Sequence, residues 1–124
     1  MKEPIYSHWK ALKRVLRYVQ GTLSLGLFYS RTKDYKLVGY SNSDGCGNID
    51  DRKITWGYVF FMGNTAFTWL SKKQPIVTLS TCEAEYVAAS WCVCRAIWLR
   101  NLLSKEELKQ RGATIIQVDN KSEI

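Results

Sequence analysis

The sequence predicts a single α/β domain, built as a mixed β-sheet with a long helix packed on it. Three observations carry this. Runs rich in aromatic and β-branched residues, separated by turn signals, fill the middle of the chain. A stretch of helical apolar spacing follows, about six turns long. One more apolar strand comes after that helix, and a strand entering after a crossover helix is expected to lie parallel to one already in the sheet. With 124 residues, 46% hydrophobic and 13% aromatic, the chain has single-domain size and ample material for a core.

Taken in order, "SHWKALKRVLRYVQG" places Trp9, Leu12, Val15, Leu16 and Val19 at helical spacing, with Lys10, Lys13, Arg14 and Arg17 on the other sides. It reads as a basic amphipathic helix stopped by Gly21, either facing phosphates or packing as an ordinary helix with a solvated basic face. "LGLFYSR" (25–31) and "KLVGYSNSD" (36–44) read as strands. "TWGYVFFMG" (55–63) and "AFTWLSKK" (66–73) read as a hairpin turning at Gly63-Asn64-Thr65, with a bend at "SKKQP". Ser80 followed by Glu83 fits a capping box for the long helix. Its expected apolar stripe is Ala84, Val87, Ala88, Trp91, Cys94, Ala96, Trp98, Leu99 and Leu102. "ATIIQVDN" (113–120) reads as a buried-type strand ending on an acid.

A net charge of +7 suits a polyanionic partner, because neutralising phosphates releases counterions; ordinary solubility accounts for it equally well. No run approaches the ~18 apolar residues of a membrane span, and the N-terminus has no apolar signal core. The expectation is therefore an intracellular protein, cytoplasmic or nuclear, not secreted and with no membrane partner. The four cysteines, Cys46, Cys82, Cys92 and Cys94, form no C-x-x-C pair, and His8 is the single histidine. Reduced, mostly buried thiols are expected rather than zinc.

Acids occur at three separate places: the strand end at 42–44, the first turns of the long helix (Glu83, Glu85), and the end of the last strand (Asp119). A mixed sheet with its last strand beside its first brings two of these to one edge, and the helix supplies a third. Converging oxygen ligands suit magnesium; turn and helix-dipole preferences alone also put acids at such places.

"DDRK", "GYVFF", "SKKQP", "LSTCEAEYVAAS" and "VDNKS" stand in an order and spacing that resembles the RNase H domain of copia-type LTR retrotransposon Pol polyproteins. The opening "HWKALKRVLRYVQGT" resembles the connecting segment between that domain and the reverse transcriptase. The resemblance implies a connecting segment over 1–34 and the N-terminal part of an RNase H-like domain over 35–124, C-terminally truncated. It also implies two-metal hydrolysis of the RNA strand in an RNA–DNA hybrid, with two magnesium ions and the reverse transcriptase portion of the polyprotein as a partner.

Carried over residue by residue, the helix carboxylate is Glu85 and the strand-end carboxylate Asp119. The first-strand acid falls on Asn42, where the family reads Ser-Asp-Ala-Asp and this chain reads Ser41-Asn42-Ser43-Asp44. The fourth acid lies beyond Ile124. Asp44 is ~7 Å further along the strand, too far to replace a bridging ligand. Weak or no cleavage is therefore expected, with Lys72, Lys73, Thr81 and Asn120 as nucleic-acid contacts. The alternatives are a non-catalytic nucleic-acid-binding relic and a truncated remnant without function.

Overall fold

A computed structural model of the chain describes residues 3–31, 35–44, 53–77 and 80–119, with the backbone alone for 75–77. The element order is α1 (Tyr6–Gly21), β1 (Leu37–Asp44), β2 (Lys53–Met62), β3 (Thr65–Val77), α2 (Thr81–Lys105) and β4 (Ile115–Val118). The four strands form one sheet in the order β3-β2-β1-β4. β1–β2 and β2–β3 are antiparallel, and β4 lies parallel to β1, as the crossover through α2 requires. The β2–β3 hairpin turns at Gly63 and Asn64, with Gly63 at φ 64°, a conformation glycine adopts without steric cost.

The period of two along β1 sets both faces. Leu37, Gly39 and Ser41 are buried, whereas Tyr40 and Asn42 are exposed. Across from them Trp56 and Phe60 of β2 are buried on the same side. α2 meets that side through Ala84, Ala88, Cys92, Ala96, Leu99 and Leu103. Three of these six are alanines, so the helix backbone can approach the strands closely. The core cluster unites Leu37, Phe60, Cys92, Ala96, Leu99 and Leu103, with Met62, Phe67 and Ile116 packed around it. After α2, Gln110 ties the returning chain to the start of β1: its Oε1 accepts from Leu37 N at 2.9 Å and its Nε2 donates to Tyr35 O at 2.6 Å.

Several expectations are corrected. Residues 25–31 are coil rather than a strand and join no ladder, and Leu25, Leu27 and Phe28 are exposed. The stretch lies beside the start of β3 but touches it through side chains, where Thr65 Oγ1 donates to Phe28 O and Tyr29 Oη donates to Ala66 O. The "SKKQP" bend is part of β3, in which Lys72 pairs with Trp56 and Lys73 with Thr55. β4 is a four-residue edge strand with Ile115 and Val118 exposed, not a buried one. α1 has no buried residue and packs on no other helix or strand among the described residues.

Cysteine burial is also mixed: Cys92 is buried, Cys82 intermediate and Cys94 exposed, while Cys46 lies outside the described residues. Burial pushes the Cys92 thiol from its ordinary 9.0 up to about 11. Alkylation at about pH 8 should therefore label Cys94 well before Cys92, since the thiolate is the nucleophile; peptide mass spectrometry after a timed iodoacetamide pulse checks this. Between 9.0 and about 11 the folded thiol keeps a proton that the unfolded one loses, so stability from this group falls as pH rises through that window.

Candidate functional site

β1 and β4 run parallel until Ser41 meets Val118, and the last link beyond them is Asp119 N donating to Ser41 O at 3.4 Å. There the end of β4 comes beside the middle of β1, under the first turns of α2. The register of α2 is fixed by its cap: Ser80 is extended and its hydroxyl oxygen accepts from Glu83 N at 3.1 Å. That start puts Ala84 and Ala88 on the sheet and leaves Glu85 half-buried at the margin of the contact.

The result is a crevice lined by Ser41, Asn42, Ser43, Glu85, Ala88, Val118 and Asp119. All three positions singled out for metal chemistry, Asn42, Glu85 and Asp119, thus border one space. It is so narrow that it leaves no room for a water-sized sphere. It adjoins a broader basin of about 490 Å³ on the opposite side of the sheet, lined by Tyr40, Asn42, Gly57, Gln117 and Asp119 among others. Asn42 and Asp119 belong to both, and both are exposed. Asp44 pairs with Thr55 and does not line the crevice.

Three buried oxygens in the crevice wall have no hydrogen-bond partner: Glu85 Oε2, Ser41 Oγ and Ser43 Oγ. An unsatisfied buried polar atom costs ~1–3 kcal/mol, more when charged, so this cluster is expensive unless something else contacts it. Carboxylate and hydroxyl oxygens form an oxygen-only donor set, the kind hard divalent cations take, while Asn42, on the other face of β1, stands at the border with the basin. The chemistry of this set suits a hard cation, and the crevice would have to widen to admit one. Among the described residues no three His, Cys, Asp or Glu side chains gather as a metal-binding group. The serine hydroxyls escaped the sequence reading, although the strand period of two would have aimed 41 and 43 toward α2.

Of the expected nucleic-acid contacts, Thr81 is exposed at the first turn of α2, and Lys72 and Lys73 are exposed on β3, two strands from the crevice. Asn120 lies outside the described residues. Among the described residues no helix is long and apolar enough to cross a membrane.

Comparison with known proteins finds relatives along most of the chain. "Secreted RxLR effector protein 161" of Plasmopara viticola is 46% identical over 97 residues, which cover 78% of this chain and 68% of that protein. The retrovirus-related Pol polyprotein from transposon TNT 1-94 of Nicotiana tabacum is 39% identical over 124 residues, all of this chain and 9% of the polyprotein. The retrovirus-related Pol polyprotein from transposon RE2 of Arabidopsis thaliana is 37% identical over 120 residues, 97% of this chain and 8% of the polyprotein. No family model and no solved structure matches.

Proposed function

The chain belongs to the retrovirus-related Pol polyproteins of copia-type transposons, as a short segment of such a polyprotein, and on that premise we propose that it is their RNase H-like part, which grips an RNA–DNA hybrid but cuts it poorly or not at all. The observation that supports this reading best is the crevice joining Asn42, Glu85 and Asp119 around an unpartnered Glu85 Oε2.

Each residue has a definable task in that reading. Glu85 offers a carboxylate oxygen that nothing in the fold occupies, held in place by a capped helix and a packed alanine face. Asp119 adds a second carboxylate at the rim. Asn42 keeps the size of an aspartate and one neutral oxygen, but it lacks the charge that would draw two dications together. Bound magnesium would supply activation of the attacking water and stabilisation of the leaving 3′ oxygen. Hybrid binding rests on other groups: Lys72, Lys73, Thr81 and Asn120 provide positive charge and donors for phosphates and 2′-hydroxyls. Residues 1–34 form the connecting segment, with α1 turned toward the reverse transcriptase portion of the polyprotein. The protein acts inside the cell, in cytoplasm or nucleus, with that polyprotein.

A labelled RNA–DNA hybrid with magnesium or manganese tests the reading. Salt-sensitive retention of the hybrid without product is expected. Product abolished by Glu85→Gln would overturn the inactivity and keep the family reaction; absence of any salt-dependent binding would overturn the reading as a whole.

A further inference from the structure

A second concavity lies on the α2 side of the sheet, toward β3 and away from the acids. It is a cleft of about 560 Å³ whose walls include Trp56, Lys72, Gln74, Trp91, Arg95 and Trp98. Trp91, Arg95 and Trp98 share one face of α2, at i, i+4 and i+7. Trp91 stacks on Trp56, with ring centroids 5.7 Å apart and planes 11° from parallel, yet Trp91 remains 54% exposed. The Arg95 guanidinium lies 4.3 Å from the centre of the Trp98 ring, and Trp98 is 50% exposed. Two large aromatic surfaces are therefore held flat by partners on one side and left open to solvent.

The polar groups of the cleft point the same way. Gln74 is 4% exposed and its Oε1 has no hydrogen-bond partner; the Arg95 Nε is likewise buried and unpartnered. Lys72 and Arg95 bring positive charge, and among the described residues no acid lines the cleft. An occupant matching these features has a flat aromatic ring, hydrogen-bonding edges and a negative charge. Nucleotide bases splayed from a single strand have all three, and stacking on exposed aromatics within a basic groove is how single strands are held without sequence preference.

We propose that this Trp91–Arg95–Trp98 cleft binds the bases of single-stranded nucleic acid, as a site separate from the acidic crevice and independent of hybrid cleavage. Phosphates pair with Lys72 and Arg95 while a base lies against an indole. In double-stranded nucleic acid the bases stay stacked on one another and cannot enter.

Fluorescence anisotropy with a labelled oligothymidylate of about ten nucleotides tests this on the whole chain. Trp98→Ala is expected to weaken binding about tenfold and Trp98→Phe to retain most of it. Arg95→Gln should weaken binding and lower the slope of log K against log salt by about one. Because Trp98 is half-exposed and outside the core cluster, the fold should persist, and circular dichroism melts of each variant verify it. Unchanged affinity in both Trp98→Ala and Arg95→Gln would overturn the proposal, as would a loss of duplex DNA binding in Trp98→Ala equal to the loss of single-strand binding. The hybrid-binding reading is tested with an RNA–DNA hybrid and this one with a single strand and the Trp98 and Arg95 variants, so the failure of either is told apart from that of the other.

Discussion

Asn42→Asp is expected to raise the affinity of this protein for Mn²⁺ by about tenfold or more. The substitution changes one amide for an isosteric carboxylate at an exposed position, so packing is untouched and the effect is one of charge. A full negative charge about 4 Å from a dication contributes ~2 kcal/mol even at the dielectric constant of water, and more beside a buried wall. Position 42 shares its crevice with Glu85 and Asp119, so the added charge acts on the same space as theirs. The double change Asn42→Asp with Glu85→Gln should lose most of the gain, since the crevice returns to two carboxylates. Isothermal titration with Mn²⁺ measures all three chains. Identical affinities with and without the added carboxylate would mean that these residues do not form a common cation site.

The second large effect concerns the fold that holds the crevice. Phe60→Ala is expected to cost ~3–5 kcal/mol, a large part of the stability of a domain this size. Phe60 is fully buried and stands opposite Gly39 of β1 in the sheet. A Cβ on Gly39 would come within 2.6 Å of the Phe60 ring, so the glycine provides the floor on which the ring lies. Leu37 and the Cys92–Leu103 face of α2 close over it. Removing the ring leaves a cavity that neither the strand backbone nor a helix face of small residues can fill. Urea denaturation followed by circular dichroism gives the difference, and a loss below about 1 kcal/mol would show that the core does not centre on this residue.

How much of this was legible in the chain depends on which force set each element. Strand alternation, the Gly63-Asn64 turn and the Ser80 cap are local, and β1, β2, the hairpin and the start of α2 follow from them almost residue by residue. The long helix was legible as a helix, and Ala84, Ala88, Ala96 and Leu99 of its expected stripe are buried. It is apolar nearly all round, so spacing also chose Trp91, Cys94, Trp98 and Leu102, which packing left exposed, and missed Cys92 and Leu103, which it buried. Burial of β4 was misread for a related reason: an apolar run says nothing about whether a strand has one neighbour or two. The coil over 25–31 has strand composition but meets β3 through side chains instead of a ladder, which composition does not reveal. At the site, the meeting of positions 42, 85 and 119 followed from topology and from the family resemblance. The orphaned serines and the tryptophan cleft depend on side chains from different elements, which no local pattern reports.

Asp119 follows the last rung of the ladder, on a strand of four residues with a single neighbour among the described strands. Peeling that strand breaks only a few hydrogen bonds and little of the buried apolar cluster, so it requires far less free energy than unfolding. Such an excursion would carry one carboxylate away from the rim while Glu85 stayed fixed on its helix. The rim of the crevice thus rests on the weakest edge of the described sheet, and whatever clamps that edge, whether a neighbouring strand or a bound duplex, also decides how long Asp119 stays beside the crevice.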